Sequence, residues 1–255
     1  MRLREIGSLA LLGGLITVQP ALADDGWSFG IGAGLGALDI DGNGAVDTRV
    51  QGGVEFELEL DPDDVWDASE SGIGVALMAR KEALTLSASY SRLRLEGTQN
   101  ASGGVGKADV EFTSKFGEFT AEQLVARSGN HLFGVIGGAR FTRQSYDLNL
   151  KANDQRVFKG SVQDEWFDAV VGASYTYSFS PTTNWRTKVT YGFGGSEGTS
   201  QFNTGISSVF GGSWLLGAFI DIKDVEYRQG NQGDNDWFEY DATESTAGIT
   251  FMYLL

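Results

Sequence analysis

The single histidine, His131, is the side chain best suited to general acid–base catalysis, because imidazole exchanges a proton near neutral pH. It follows Ser128-Gly129-Asn130, a run of turn-forming residues. A histidine in such a turn is expected to be exposed to solvent. The sequence has no cysteine, so one histidine leaves too few nitrogen and sulfur ligands for a zinc site.

A second candidate site has the oxygen spacing of a calcium loop. Asp39, Asp41 and Asn43 match the first ligands of such a loop, and Asp47 stands at its ninth position. Val50, however, occupies the position of the bidentate glutamate, and strands are predicted on both sides. The alternative is an Asp/Gly/Asn hairpin between two strands. We prefer the hairpin and predict no metal site.

A glycine repeat near the N-terminus superficially resembles a dinucleotide-binding loop. Gly30 to Gly36 places a glycine at every second position, whereas the nucleotide fingerprint is G-x-G-x-x-G followed by a helix. Small residues on one face of a strand explain the spacing better. No cofactor is predicted.

The elements that must position these residues are β-strands, because apolar residues alternate along the chain with period two. In residues 27–38, Trp27, Phe29, Ile31 and Leu35 share one face, while serine and glycine share the other. Such a strand could meet lipid on one side and a lumen on the other. The same alternation recurs at 73–80, 84–90, 133–142, 167–179, 185–194, 202–210, 214–221 and 247–255.

The segment from Val110 to Arg127 is less regular. Phe112 and Phe116 fall in one phase of the alternation, and Phe119 and Val125 fall in the other. A β-bulge near Gly117 would reconcile the two phases.

The connectors predict an all-β, antiparallel transmembrane β-barrel of about ten strands, within a range of eight to twelve. Short turns alternate with mostly longer links, as in outer-membrane barrels. The short turns fall at 80–83, 128–130, 180–184 and 211–212, and the longer links at 39–71, 96–109, 145–163 and 224–241, with a short link at 195–199. A soluble β-sandwich or lipocalin-like barrel is the alternative, but its outer face would not be so uniformly apolar.

Two additions are predicted after the first strand. Val54 to Leu60 is expected to form a further short strand in the first external region. Pro62 to Ser69 is expected to form a short helix or a plug that folds into the lumen, with proline at the first helical position.

The first 23 residues have the layout of a cleaved signal peptide. Arg2 and Arg4 are followed by an apolar stretch from Ile6 to Val18, and Ala21-Leu22-Ala23 is an A-x-A cleavage site. Residues 24–255 are then expected to form a single barrel domain. The formal net charge of −15 argues against a nucleic-acid partner, which requires clustered positive charge.

Charged residues on the lumen face form the most informative set of polar residues. They are Arg80, Glu122, Arg140, Asp168, Arg186, Lys188, Asp221 and Lys223. Neighbouring strands predict three pairs: Glu122 with Arg140, Arg140 with Asp168, and Asp168 with Arg186. The set is either a salt-bridged interior that closes a narrow barrel or a constriction that selects solutes. We favour the closed interior, because ten strands enclose little space.

Two motifs resemble a proteobacterial family of outer-membrane barrels, which are small OmpA/OmpW-like barrels in the broad sense. The first is Glu165-Trp-Phe-Asp168-Ala-Val-Val-Gly172, and the second is Tyr191-Gly-Phe-Gly-Gly-Ser196. Family members often show D-W-x-D-P-x-x-G followed by G-G-F-G-x-G-S. Here Ala169 replaces the proline and the second motif is shorter. The resemblance implies a barrel and export, and it carries no catalytic residues.

The sequence therefore predicts a non-enzymatic integral protein of the bacterial outer membrane with a structural or loop-mediated surface role. The alternatives are a narrow porin-like channel for small solutes, a lipid-modifying enzyme, and an adhesin or ligand-binding barrel. Enzymes built on such barrels rely on a histidine beside a serine or a carboxylate. The expected partners are outer-membrane lipid, lipopolysaccharide and the barrel-assembly machinery. The segment from Ala247 to Leu255 resembles the C-terminal strand that this machinery recognises, although that strand usually ends in Phe or Trp.

Overall fold

The computed structural model describes residues 26–46, 54–60, 69–100, 107–152, 155–231 and 237–255. Every regular element in these ranges is a β-strand. None of the described residues forms an apolar helix of the length needed to cross a bilayer. The strands are β1 (Ser28–Val46), β2 (Val54–Leu60), β3 (Ser69–Lys81), β4 (Leu84–Asn100), β5 (Lys107–Ser128), β6 (His131–Ala152), β7 (Gln155–Ser178), β8 (Thr183–Gly194), β9 (Gly198–Phe210), β10 (Trp214–Gln229) and β11 (Phe238–Leu254).

Ten of these strands close into an antiparallel barrel, which confirms the predicted fold class. Each strand from β3 to β11 pairs with its neighbour in the sequence, and β1 closes the ring by pairing with β11 and β3. The predicted extra strand at Val54–Leu60 is confirmed as β2, which pairs with residues 40–46 of β1. The predicted helix or plug lies almost wholly outside the described residues, and Ser69 is the first residue of β3.

The two ends of the barrel differ. One end, here the turn end, carries four short connections at residues 82–83, 129–130, 179–182 and 211–213. Positive φ angles at Gly129 (59°) and Gly211 (57°) allow two of these tight turns. The four predicted short turns are thus confirmed. The remaining connections lie at the opposite end, here the loop end.

The predicted long link at 145–163 is wrong, because β6 and β7 continue through it. These strands are 22 and 24 residues long, and only residues 153–154 separate them. β4, β5, β10 and β11 also extend into segments predicted as links. The loop end is therefore built largely from paired strands.

A belt of apolar side chains surrounds the barrel next to the turn end. From Trp27, the residue before β1, to Ala37 on β1 it covers ten residue steps, which at a tilt of about 40° gives a height of about 25 Å. This height matches the apolar band of an outer-membrane barrel. The belt includes Phe29, Ile31, Leu35, Val75, Leu77, Tyr90, Phe119, Phe133, Val135, Phe167, Val171, Val189, Tyr191, Phe193, Phe202, Ile206, Leu216, Ile220, Ile249 and Phe251, all exposed on the outer face.

Beyond the belt the alternation inverts. On β11, Ile249 and Phe251 face outward within the belt, whereas Phe238 and Tyr240 are buried in the interior nearer the loop end. The outward side chain between those two is Glu239. Where a strand passes from lipid into water, its outward residues become polar and its inward residues become apolar. The apolar residues therefore change from odd-numbered to even-numbered positions on β11, although the strand itself does not rotate. This inversion explains why the alternation predicts strands that end at the edge of the belt, whereas the strands continue beyond it.

The predicted bulge near Gly117 is wrong. The register of β5 against β6 runs unbroken from Lys107 to Leu124, and the irregularity lies between Leu124 and Ala126. Phe112 is buried in the interior beyond the belt, whereas Phe119 is exposed on the outer face. The two phases of β5 thus reflect the inversion of the apolar face rather than a bulge.

Candidate functional site

The eight lumen-facing charged residues predicted from the alternation all lie on the inner face of the barrel wall. Six of them are buried: Arg80, Arg140, Asp168, Arg186, Lys188 and Asp221. The side chains of Glu122 and Lys223 are 19% and 14% exposed. These residues fall into several local groups rather than one continuous row.

The central group is organised by Glu118. Its Oε2 accepts a hydrogen bond from Nη2 of Arg140 at 2.7 Å, and its Oε1 lies 3.2 Å from Nζ of Lys188. Arg140 is 1% exposed, and it also donates to Oε1 of Gln201. Gln201 in turn donates to both oxygens of Asp221, at 2.8 and 3.0 Å. One carboxylate thus serves two buried cations, and Gln201 links them to a second carboxylate.

Glu118 is absent from the predicted set, although it lies four residues before Glu122 and so on the same face of β5. The expected bulge near Gly117 made the face of this part of β5 ambiguous. Because residues 118 and 122 are an even number of positions apart on one strand, the alternation alone identifies Glu118 as a lumen residue. The register then places it directly opposite Arg140.

The three predicted ion pairs are wrong. Glu122 pairs with Arg186, three strands away on β8, and also accepts a hydrogen bond from Ser174 on the intervening β7. Arg140 pairs with Glu118. Long side chains in a narrow tilted barrel can reach across the lumen, so neighbouring strands alone do not decide the partners. Lys223 pairs with Glu244 on the adjacent β11 at 2.6 Å.

Asp168 binds a turn rather than a cation. Its Oδ1 accepts hydrogen bonds from the backbone N–H of Gly195 (3.1 Å) and Ser196 (2.8 Å), and from the Ser196 hydroxyl (2.9 Å). Its Oδ2 accepts a long one from Thr199. A Cβ at Gly195 would lie 2.4 Å from the carbonyl oxygen of Phe167, so only glycine fits there. Asp168 therefore fastens the β8–β9 connection to β7.

Replacing Asp168 with alanine is expected to destabilise the barrel by about 2 kcal/mol, because buried N–H and hydroxyl groups lose their acceptor. Urea unfolding in lipid vesicles measures this loss. Thr199→Val is the matched control, since it removes the 3.4 Å contact with Asp168 and the 3.3 Å contact with the Ser196 hydroxyl but leaves every hydrogen bond to Oδ1, and it should cost less than about 1 kcal/mol. Equal losses in the two variants would contradict this role of Asp168.

Apolar clusters close the charged layer on both sides. Near the turn end, Ala76, Met78, Leu215 and Met252 pack together. At the opposite side lies a larger cluster, here the loop-end core. It contains Leu38, Ile40, Leu93, Phe112, Tyr146, Trp166, Val225, Tyr227, Phe238, Tyr240 and Ala242.

Aromatic contacts hold the loop-end core together. Trp166 and Tyr227 stack with their ring centroids 3.9 Å apart and their planes at 10°. Tyr146 contacts Phe112 on one side and Phe238 on the other. The hydroxyl of Tyr240 donates to Glu244 at 2.9 Å, which joins this core to the charged layer. Burial raises the pKa of Tyr240 well above its usual value, and the Glu244 carboxylate raises it further.

Little space remains between these layers. One cavity of about 30 Å³ lies where the charged layer meets the loop-end core, beside Phe116 and Lys223. A second of about 20 Å³ lies beside Glu118 and Arg186. Each is large enough for one or two water molecules and too small for a solute.

His131 is the first residue of β6 and is exposed at the turn end. Its Nδ1 lies 2.8 Å from the hydroxyl of Tyr175, and its ring contacts those of Tyr175 and Tyr177. Its surroundings are thus those of an aromatic girdle at a membrane surface. Ser128 is its register partner across the β5–β6 turn, and the hydrogen-bond partner of its ring is the hydroxyl of Tyr175.

The predicted hairpin and the candidate calcium loop are both replaced by strand. Asp39, Asp41 and Asn43 lie in β1 and are paired with β11. Alternate residues of a strand are about 6.6 Å apart, so their side chains do not converge on one ion. Asp47 lies outside the described residues. The glycines from Gly30 to Gly36 also lie in β1 and pair with β11.

Solved structures with a similar fold are bacterial outer-membrane proteins. The outer-membrane protease OmpT of Escherichia coli matches with a TM-score of 0.59 at 8% identity, over 94% of this chain and 99% of that one. The translocator domain of the autotransporter NalP of Neisseria meningitidis matches with a TM-score of 0.49 at 13% identity, over 90% of each chain. The attachment invasion locus protein Ail of Yersinia pestis gives 0.34 at 9% identity, over 89% and 98%.

No protein-family model matches the chain, and no curated protein sequence matches it. At 8% identity the likeness to OmpT shows the fold alone, and a fold does not carry an activity with it. These outer-membrane proteins also have varied roles. The chain therefore has the fold of the bacterial outer-membrane β-barrels.

Proposed function

We propose that this chain is a non-enzymatic integral protein of the outer membrane, with a closed lumen and a rigid loop end exposed at the cell surface. The observation that carries the proposal is the filled lumen. Its charged layer lies between two apolar clusters, and the described cavities hold only one or two water molecules each. The apolar belt supports the membrane location, and the short connections support a periplasmic turn end.

A structural or surface role fits the construction of the loop end better than transport does. The extended hairpins carry charged residues outward and aromatic residues inward, so they form a folded extracellular body. Its outer face offers Arg143, Glu165, Arg228 and Glu239 to solvent or to a partner. Enzymatic activity of the histidine-dependent kind receives no support, since His131 contacts tyrosines at the turn end.

Planar-bilayer recording of the purified protein tests the closed lumen. The wild-type barrel should show no conductance steps. A general porin recorded in the same bilayer checks that an open lumen would be detected, and the variant in which Glu118, Arg140 and Lys188 are all replaced with alanine tests whether the charged layer alone blocks conduction. Steps in the wild type that depend on these three residues would favour a narrow channel instead.

Membrane fractionation with heat-modifiable gel mobility tests the location. The expected result is an outer-membrane protein whose unboiled form migrates faster than its boiled form. A soluble periplasmic product would overturn the proposal. Any enzymatic activity found in the preparation should be unchanged in the His131→Ala variant.

A further inference from the structure

Three basic residues form a row on the outer face of the barrel. Arg92 on β4 lies directly opposite Lys115 on β5, and Lys115 lies directly opposite Arg143 on β6. Side chains at directly opposed positions on one face are about 5 Å apart, so the three cations are immediate neighbours. Like charges in this arrangement repel one another unless an anion lies between them.

The row is only partly neutralised by the protein. Within the described part of the chain, Arg92 and Lys115 have no ion-pair partner. Arg143 lies 3.5 Å from Glu165 and donates to Gln163. One carboxylate at the end of the row therefore faces three cations. In a chain with a formal net charge of −15, this excess of positive charge is local to the row.

The row lies at the loop-end boundary of the apolar belt. Two residues nearer the turn end, the outward residues on the same three strands are Tyr90, Gly117 and Phe141, which are also directly opposed. At the same boundary on strands away from the row, the outward residues include Asp39 on β1 and Asp224 on β10. The positive charge is thus confined to one side of the barrel.

Gly117 leaves a gap in the aromatic row beneath Lys115. A Cβ there would meet nothing closer than 3.9 Å, so a side chain is absent where space exists for one. Tyr90 and Phe141 flank the gap. One step nearer the turn end, the exposed Phe119 lies between Ala88 and Ala139. Shallow grooves on either side of Phe119 could hold acyl chains.

We propose that Arg92, Lys115 and Arg143 bind the phosphate groups of lipopolysaccharide in the outer leaflet, with an acyl chain in the gap at Gly117. The inference rests on the proposed function, because it requires the loop end to face outward. Three adjacent cations above an apolar groove suit an amphiphile whose phosphates lie at the membrane surface. The acidic residues at the same level elsewhere would repel such a lipid and so orient it to this side.

Binding of lipid A to the detergent-solubilised, full-length barrel tests the proposal by native mass spectrometry. The wild type should bind bisphosphorylated lipid A more tightly than lipid A without its phosphates. The R92Q/K115Q variant should bind bisphosphorylated lipid A about 30-fold more weakly, or about fivefold for each cation removed. Inorganic phosphate at the same concentration should not displace the lipid.

The K81Q/R127Q variant is the matched control, since it removes two cations at the turn end and should bind like the wild type. Gly117→Leu keeps every charge and fills the gap, so it should also weaken binding. Heat-modifiable mobility checks that each variant is folded. Equal affinity in wild type and R92Q/K115Q, or displacement by inorganic phosphate, would overturn the proposal. If either of these results is found while the wild-type barrel shows no conductance, the lipid site is ruled out but the proposed closed lumen is not.

Discussion

Replacing Glu118 with glutamine is expected to destabilise the folded barrel by about 3–5 kcal/mol, because the change leaves Arg140 and Lys188 buried without their shared carboxylate. The Glu118 side chain is 8% exposed, so water offers little compensation. Glutamine has nearly the same shape as glutamate, and the loss would therefore report the charge rather than a cavity. Reversible urea unfolding in lipid vesicles, followed by tryptophan fluorescence, measures this change.

Glu239 provides the control for this measurement. It pairs with Arg228 at 2.9 Å, but the arginine side chain is 51% exposed. Such surface pairs contribute at most about 1 kcal/mol, so Glu239→Gln should change little. Replacing Glu118, Arg140 and Lys188 together with leucine, leucine and methionine should restore part of the stability, because both cations are removed together with their carboxylate, while Asp221 keeps its hydrogen bonds from Gln201 and Asn203. A Glu118→Gln loss no larger than that of Glu239→Gln would show that the charged layer does not hold the barrel together.

Trp166→Ala is expected to cost about 3–5 kcal/mol and to loosen the loop end. Trp166 is 4% exposed and stacks on Tyr227, so its removal opens a cavity in the loop-end core. The strands beyond the belt have no lipid around them, and the packing of this core is what holds their hairpins together. Limited proteolysis and hydrogen exchange should both show faster opening of the loop-end parts of β7 and β10.

The neighbouring Phe167 supplies a strict comparison. It lies on the same strand but faces outward, 65% exposed, and contacts Phe141 on the lipid-facing surface. Phe167→Ala should lower the stability of membrane insertion without increasing protease cleavage at the loop end. If both variants are cleaved equally, the loop-end core does not act as a separate packing unit.

The part of the fold within the belt could be predicted because lipid imposes one rule on every strand. Any outward side chain there must be apolar, so the alternation reveals the strand and its faces together. Beyond the belt the rule reverses, as it does between Phe251 and Tyr240 on β11. A search for outward apolar residues therefore stops at the membrane boundary, even though the hydrogen-bonded ladder continues.

The sequence predicts which charged residues face the lumen but not which of them form ion pairs. Parity alone places Arg140, Asp168 and Arg186 inside, and all three residues are buried. Which charges meet depends on the register and on the reach of long side chains across a narrow barrel, and a single sequence records neither. Asp168 shows the difference most clearly. Its motif and the Gly-Gly-Ser196 motif are more than 20 residues apart in the sequence, yet hydrogen bonds join them at one turn.

The wall of the barrel is not equally strong all the way round. β1 and β11, which carry the two ends of the described chain, share a ladder of 17 residue pairs. β1 and β3 share only six, from Ser28–Arg80 to Ala33–Val75, and β2 takes over the pairing at Ile40. Under mechanical load the barrel should therefore split between β1 and β3, which are joined by these six pairs near the turn end, because β2 pairs with β1 and not with β3 in the described sheet. The junction of the termini, which closes the ring last in sequence, would be among the last to part.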